Sequence, residues 1–263
     1  MKKVAVLVSI FTFVFLTLFI IIDQAEQKLN IVYVDRLTEE AGSTVKVCVK
    51  RSDGKLVLID TCKHKQEDNY LYILKLYDHY RNALPPSYVT PLQGNFEIIK
   101  LEKTENKLNI ELKAMYLKSG LKEFLTALMW SYQYMGIDSI NMKINKEIFY
   151  LEKNTLINQE IDSYSAYDNI IQIVFYKEGD DIIPVSYYHQ ENRIDFLMNK
   201  VISKFPDVTY TYQIQDDMLT IRISDPDYQL SKEITDMLLL SIKHLNLYRN
   251  IIIIKNDVVV ANN

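Results

Sequence analysis

The chain has 263 residues, 48% of them apolar and 24% charged, with a formal net charge of −4. That balance is globular rather than disordered, and the acidic surplus, with no Lys/Arg-rich block, excludes a basic footprint for nucleic acid. The length allows one or two domains, and only 6 Gly, 6 Pro and 2 Cys are available for sharp turns, helix breaks or bridges.

The amino end predicts a membrane segment. Lys2 and Lys3 precede an apolar run over residues 4–22, interrupted only by Ser9, Thr12 and Thr17. At about 1.5 Å per residue such a run nearly spans a ~30 Å hydrocarbon core. A secretory core is shorter, roughly 7–15 residues, and ends in a small-x-small cleavage site that Ile20-Ile21-Ile22-Asp23 does not offer. Gln24-Ala25-Glu26 leaves only a weak late one, and no Cys follows for lipid attachment. The two lysines keep the amino terminus cytoplasmic. Residues 1–27 therefore read as a cytoplasmic stub and transmembrane signal anchor. The partner of residues 4–22 is membrane lipid, and the bulk of the chain lies outside the cytoplasm.

Leu29–Val34 alternates and reads as an opening strand. Val45–Lys50 and Leu56–Ile59 flank Ser52-Asp53-Gly54, a hairpin signal. In a two-residue turn Val49 faces Leu58, and Cys48 and Cys62 point to opposite sides. A three-residue loop changes the parity and still leaves them far apart, so two unbridged thiols are expected. Asp68 is an N-cap for a helix to about Asn82, with Tyr70, Ile73, Leu74, Tyr77 and Tyr80 on one stripe and Pro85-Pro86 beyond its end. Phe96–Leu101 and Leu108–Leu112 form a second hairpin. A helix over 121–135 buries Leu121, Phe124, Leu125, Leu128, Tyr132 and Met135, and Gly136 caps it. Trp130 lies beside that stripe. Ser139–Ile144 closes the first unit.

Residues 152–168 lack a sustained period and read as a linker. Ile170–Tyr176 and Ile182–Tyr187 flank a turn at Lys177–Asp180. Asn192 caps a helix to about Phe205 with Ile194, Leu197, Met198 and Val201 inward. Val208–Ile214 and Met218–Ile223 make another hairpin. A helix over 231–245 buries Ile234, Met237, Leu238, Ser241 and Leu245. Ile251–Ile254 reads as a strand buried on both faces, with Val258–Val260 returning beside it.

The segment from Leu108 to Glu147 and that from Leu219 to Asp257 are copies of one strand–helix–strand pattern about 110 positions apart. The preceding hairpin and helix also recur. The expected class is α+β: a first domain over 28–151 and a second over 169–263, each a mostly antiparallel sheet covered on one face by two helices.

No motif commits the chain to a reaction. Phosphate loops, HExxH helices, nucleophile elbows and paired CxxC motifs are absent, so no catalytic, cofactor or metal residues are assigned. His64, His79, His189 and His244 hold no matched positions in the two copies. Glu178-Gly179-Asp180-Asp181 lacks the alternating acidic ligands of a Ca²⁺ loop and reads as a hairpin turn, as Asp225-Pro226-Asp227 reads as a turn before the last helix.

Residues 171–202 carry Val174-Phe175-Tyr176, Gly179 and Ile182-Ile183-Pro184-Val185 ahead of a helix. This resembles the opening of the sporulation-and-germination (GerM) domain, with its apolar-aromatic strand, Gly-containing turn and "LVPV" strand. Asn82–Pro91 is similar to that family's link between first helix and second hairpin. The first copy departs in having Leu56-Val-Leu-Ile59 in place of the Pro-containing strand and Lys113 where the family carries Asp, a position that Ser224-Asp225 partly supplies in the second. Tandem lipoproteins of the family use a lipidated Cys where this chain has the apolar run. The resemblance implies a tandem, ring-building-motif-like fold. It also implies a non-enzymatic scaffold in envelope assembly during spore formation or germination, with other envelope proteins or further copies of itself as partners. The alternative is a module that binds a cell-wall polymer or small envelope ligand through exposed tyrosines.

Overall fold

A computed structural model describes residues 41–64, 67–161, 170–203, 205–227 and 229–262. The anchor over residues 4–22 and the strand Leu29–Val34 lie outside the described residues. Among the described residues, no helix is long and apolar enough to cross a membrane. Two compact units divide them: one holds 41–45, 60–64 and 67–72, and the other holds 46–59 and the described residues from 73 onward.

The smaller unit contains the start of β1 (Ala41–Arg51), the end of β2 (Leu56–His64) and the start of α1 (Asn69–Tyr77). Thr61 Oγ1 donates to Val45 O at 3.1 Å, and Tyr72 Oη donates to Cys62 O at 2.9 Å. Asp68 is the N-cap, accepting the N–H groups of Tyr70 and Leu71 at 2.9 Å each.

The larger unit holds both repeats. Arg51 N–H reaches Lys55 O at 2.8 Å, so the first hairpin closes on the three residues Ser52–Gly54 rather than on two. α1 ends at Tyr77, earlier than Asn82, because Asp78 and Tyr80 N–H both turn back to Lys75 O and a 3-10 turn follows at Arg81–Ala83. The buried residues of this helix in the larger unit are Ile73, Leu74, Leu76 and Tyr77, while Tyr80 is half-exposed.

β3 (Tyr88–Val89) leads into β4 (Gln93–Thr104), β5 (Lys107–Ser119), α2 (Leu121–Gln133), β6 (Ser139–Ile144) and β7 (Glu147–Glu152). β5 and β6 are parallel, from Lys107↔Ser139 to Leu112↔Ile144, because the helix between them carries the chain back to start again in the same direction. β4 and β7 flank them antiparallel. Gly120, at φ +87°, begins α2 where a Cβ would lie 2.0 Å from Pro91 O, so only glycine fits. The second repeat repeats the plan. After β8 (Glu160–Ile161), β9 (Ile170–Glu178) and β10 (Asp181–His189) form a hairpin, followed by α3 (Arg193–Ile202), β11 (Thr209–Gln215) and β12 (Met218–Ser224). α4 (Lys232–Leu245) crosses to β13 (Asn250–Lys255), which pairs parallel with β12, and β14 (Val258–Asn262) returns beside it. Asn192 caps α3 through Ile194 and Asp195 N–H, and Ser231 caps α4 through Ile234 N–H.

Equivalent residues tie the repeats internally. Ser131 Oγ on α2 accepts Cys48 N–H at 2.9 Å, and Ser241 Oγ on α4 accepts Phe175 N–H at 3.0 Å. Asn145 and Asn256, both at positive φ, accept Ala114 N–H and Asp225 N–H at 3.0 and 2.8 Å. Each repeat thus pins its first hairpin to its last helix and its parallel strand to the preceding one.

The sheet arrangement differs from the expectation of one mostly antiparallel sheet per domain. Each repeat keeps a four-stranded mixed sheet of its own, β4-β5-β6-β7 and β11-β12-β13-β14. The first hairpins leave those sheets and join each other in a six-stranded sheet of order β3-β1-β2-β10, where β10 also pairs with β8 and β9. Within the four-isoleucine strand, Ile251 and Ile253 are buried while Ile252 and Ile254 are half-exposed, so only one face of β13 is covered by the fold.

Candidate functional site

The joint between the repeats gathers polar side chains that lie far apart in the sequence. Arg51, at the end of β1, donates to Asp181 Oδ2 at 3.2 Å and pairs with Glu178 Oε2 at 2.8 Å and Asp53 Oδ2 at 2.6 Å. Tyr88 Oη donates to the other oxygen of Asp181 at 2.6 Å. The turn at 178–181, read as a bare hairpin turn, is therefore the acceptor for a guanidinium from the first repeat. Asp181 is buried, with Arg51 and Tyr88 occupying one oxygen each. The hydrogen bond to Arg51, with help from Lys55 N–H, lowers the Asp53 carboxyl to about 2. The hydrogen bond to Asp181, with burial, pushes the Tyr88 phenol up to about 12.

Where β2 and β10 diverge, the chain between the repeats fills the gap. Ile182 pairs with Leu58, and beyond that point Asn158 supplies the missing partners. Its side chain accepts Leu56 N–H at 3.0 Å and donates to Leu56 O at 2.7 Å and Pro184 O at 2.9 Å. Next to it, Ile157 N–H donates to Ser186 Oγ and Ile157 O accepts Ser186 N–H, both at 2.9 Å. A left-handed φ of 43° at Asn158 aims the amide into the sheet, a conformation Asn adopts more readily than most residues. Within the 152–168 segment, Ile157 and Asn158 thus bond to strands of both repeats, and residues 162–168 lie outside the described residues.

Trp130 closes the joint on its helical side. It is fully buried, and its Nε1–H donates to Thr155 O at 2.8 Å. Its ring meets Phe175 edge-on at 5.9 Å and stacks on His244 at 5.8 Å, both in the second repeat. Periodicity placed Trp130 beside the buried stripe, but α2 is buried on both sides from Thr126 to Tyr132, because the second repeat covers the flank that the first leaves open. Burial lowers the His244 imidazole to about 4, and among the described residues nothing hydrogen-bonds its Nε2.

The other candidates are structural or separate. His79 is exposed beside Asp78 at 2.9 Å, and the side chain of His64 lies outside the described residues. His189 stacks on Phe196 at 3.7 Å and meets Gln172 Oε1 at 3.2 Å. Asp225 is buried and accepts Gln229 and Leu230 N–H at 2.8 and 2.9 Å, with Lys255 Nζ at 3.2 Å. Burial alone would raise this carboxyl, but these donors outweigh it and hold it below the usual range. Cys48 is buried and Cys62 exposed, both free. Among the described residues no group of three or more His, Cys, Asp or Glu side chains is placed to hold a metal ion. A cavity of about 390 Å³ opens beside the joint, lined by Lys55, Glu160, Tyr176, Tyr187 and Lys200, with the two tyrosine hydroxyls 2.9 Å apart. Of the described tyrosine side chains, only Tyr134 and Tyr150 are exposed, so the tyrosines do not form one open groove.

No family model matches the chain, and neither does any curated protein. Among solved structures, the tandem GerMN domains of the sporulation protein GerM from Bacillus subtilis match with a TM-score of 0.68. The match covers 81% of this chain and 91% of that one at 15% identity. The fold is that of tandem GerMN domains. The first GerMN domain of the same protein, taken alone, covers 41% of this chain and 86% of its own length at 14% identity and a TM-score of 0.36. In this chain the Arg51, Asn158 and Trp130 contacts are among those that join the two copies, beside the pairing of β2 with β10.

Proposed function

We propose that this protein is a non-enzymatic interaction scaffold, anchored in the cell membrane through residues 4–22, with its two repeats outside the cytoplasm. Its role is in envelope assembly during spore formation or germination. The observation that carries this reading is the contrast between a closed joint and open edges. Charged, amide and aromatic side chains are spent on fusing the repeats, whereas β7 and β14 end their sheets with Ile148, Tyr150, Val258, Val259 and Val260 exposed. Such edges offer backbone hydrogen bonds and apolar surface to another strand. Likeness to the tandem GerMN domains of a sporulation protein supports the biological setting.

The test is in-cell photo-crosslinking of the full chain, with the reactive group at position 148 or 259 and, as control, at buried Ile140. Discrete adducts with an extracytoplasmic envelope protein or a second copy, absent from the control, are expected. If neither edge position gives an adduct during growth or sporulation, the scaffold reading fails.

A further inference from the structure

The two repeats share a backbone plan, so a residue that breaks the match stands out. On the open face of the first repeat's sheet, Glu111 of β5 lies opposite Lys143 of β6, and the pair closes at 2.7 Å. In the second repeat the same two places hold Arg222 and Ile254, again directly opposite in the parallel register. Ile254 cannot neutralise a guanidinium. Arg222 is exposed and forms no ion pair among the described residues, and its neighbour across the other edge is Thr211.

A depression of about 360 Å³ is lined by Thr209, Thr211, Ser224, Ile254 and Asp257 beside the guanidinium. That volume suits a small molecule. Three hydroxyls offer donors and acceptors to a hydroxylated ligand, the half-exposed Ile254 gives an apolar patch for a ring face, and the guanidinium fork matches an oxyanion. Asp257, at the turn to β14, also lines it and disfavours a second anionic group there.

We propose that this depression is a binding site for a sugar-sized ligand carrying one oxyanion, a carboxylate or a phosphate, with Arg222 as the anion-binding residue. The proposal rests on the comparison of the repeats and not on the scaffold reading, which uses other surfaces.

Ligand-observed NMR and titration calorimetry on the full chain test it, with glucuronate, glucose 6-phosphate and glucose as probes. Saturable binding of at least one anionic sugar and none of glucose is expected, and the better of the two anions identifies the oxyanion. Arg222→Ala should weaken that binding about tenfold or more, the scale of a lost charge-assisted bidentate contact, and Arg222→Lys should weaken it less. Ile254→Glu rebuilds the cross-strand ion pair of the first repeat, so it should abolish binding while the thermal transition is kept. If neither anionic sugar binds saturably, or if binding survives both Arg222→Ala and Ile254→Glu unchanged, the site is not there.

Discussion

Arg51 meets Asp181 at 3.2 Å although 130 positions separate them in the chain. One lies at the tip of the first repeat's hairpin and the other at the tip of the second's, and Tyr88 holds the remaining oxygen of the same carboxylate. Removing one partner of a largely buried pair leaves the other's charge uncompensated. Arg51→Ala should therefore cost about 2–4 kcal/mol in urea unfolding. A double-mutant cycle with Asp181→Ala should return a coupling of about 1–3 kcal/mol. A coupling indistinguishable from zero would show that the contact does not hold the joint.

Asn158 makes three hydrogen bonds to two strands of different repeats. Asn158→Ala leaves Leu56 N–H without an acceptor and forces a residue with a Cβ but no amide into a left-handed conformation, at a cost of about 2–3 kcal/mol. Asn158→Gly relieves the backbone but not the lost bonds, so it should be milder. Amide exchange at Leu56 should quicken in both. Unchanged protection there would mean that the side chain is not the partner.

The chain has a single tryptophan, which makes the joint directly observable. Trp130 should emit at short wavelength in the folded protein because it is fully buried. Trp130→Ala should destabilise by about 3–5 kcal/mol, the cost of emptying a large core position. Trp130→Phe should cost less, the deficit coming from lost volume and the unanswered Thr155 carbonyl. Equal costs for the two would place the indole outside the core.

His244 carries the pH dependence. Its folded value is about 4, below the ordinary 6.5, because burial disfavours the imidazolium. Between those values the unfolded chain binds the proton and the folded chain does not, so stability rises with pH across that window. As pH falls from about 6.5 to about 4, unfolding free energy should drop by of the order of 2–3 kcal/mol from this residue. His244→Phe, which keeps the aromatic contact with Trp130 and removes the buried unsatisfied nitrogen, should flatten that slope. An unaltered slope in the variant would assign it to other groups.

Burial alone pushes the Cys48 thiol far up, whereas Cys62 is exposed. One thiol per folded chain should react with a maleimide, and the second only after unfolding. Because the proposed topology puts Cys62 outside the cytoplasm, a membrane-impermeant maleimide should label it on intact cells. Labelling only after lysis would reverse that orientation.

Alternation, caps and turns are local properties, and the sequence by itself determined most of the elements. The Asn192 and Ser231 caps, the left-handed turn at Gly179, and the paired strand–helix–strand segments stand where their residue types require. So does the tandem likeness, because the two copies share one order of elements. What only the tertiary structure decided is how the copies meet. Arg51 with Asp181, Asn158 with Leu56 and Pro184, and Trp130 with His244 join residues about 100 or more positions apart, apart from the short reach from Asn158 to Pro184. An arginine beside a turn, a loop asparagine and a flank tryptophan are equally at home in solvent by their local pattern. Likewise, four isoleucines in a row specify a strand but not which of its faces will be covered. The roles of Arg51, Asn158 and Trp130 follow from the meeting of the two repeats at β2 and β10, which no local preference encodes.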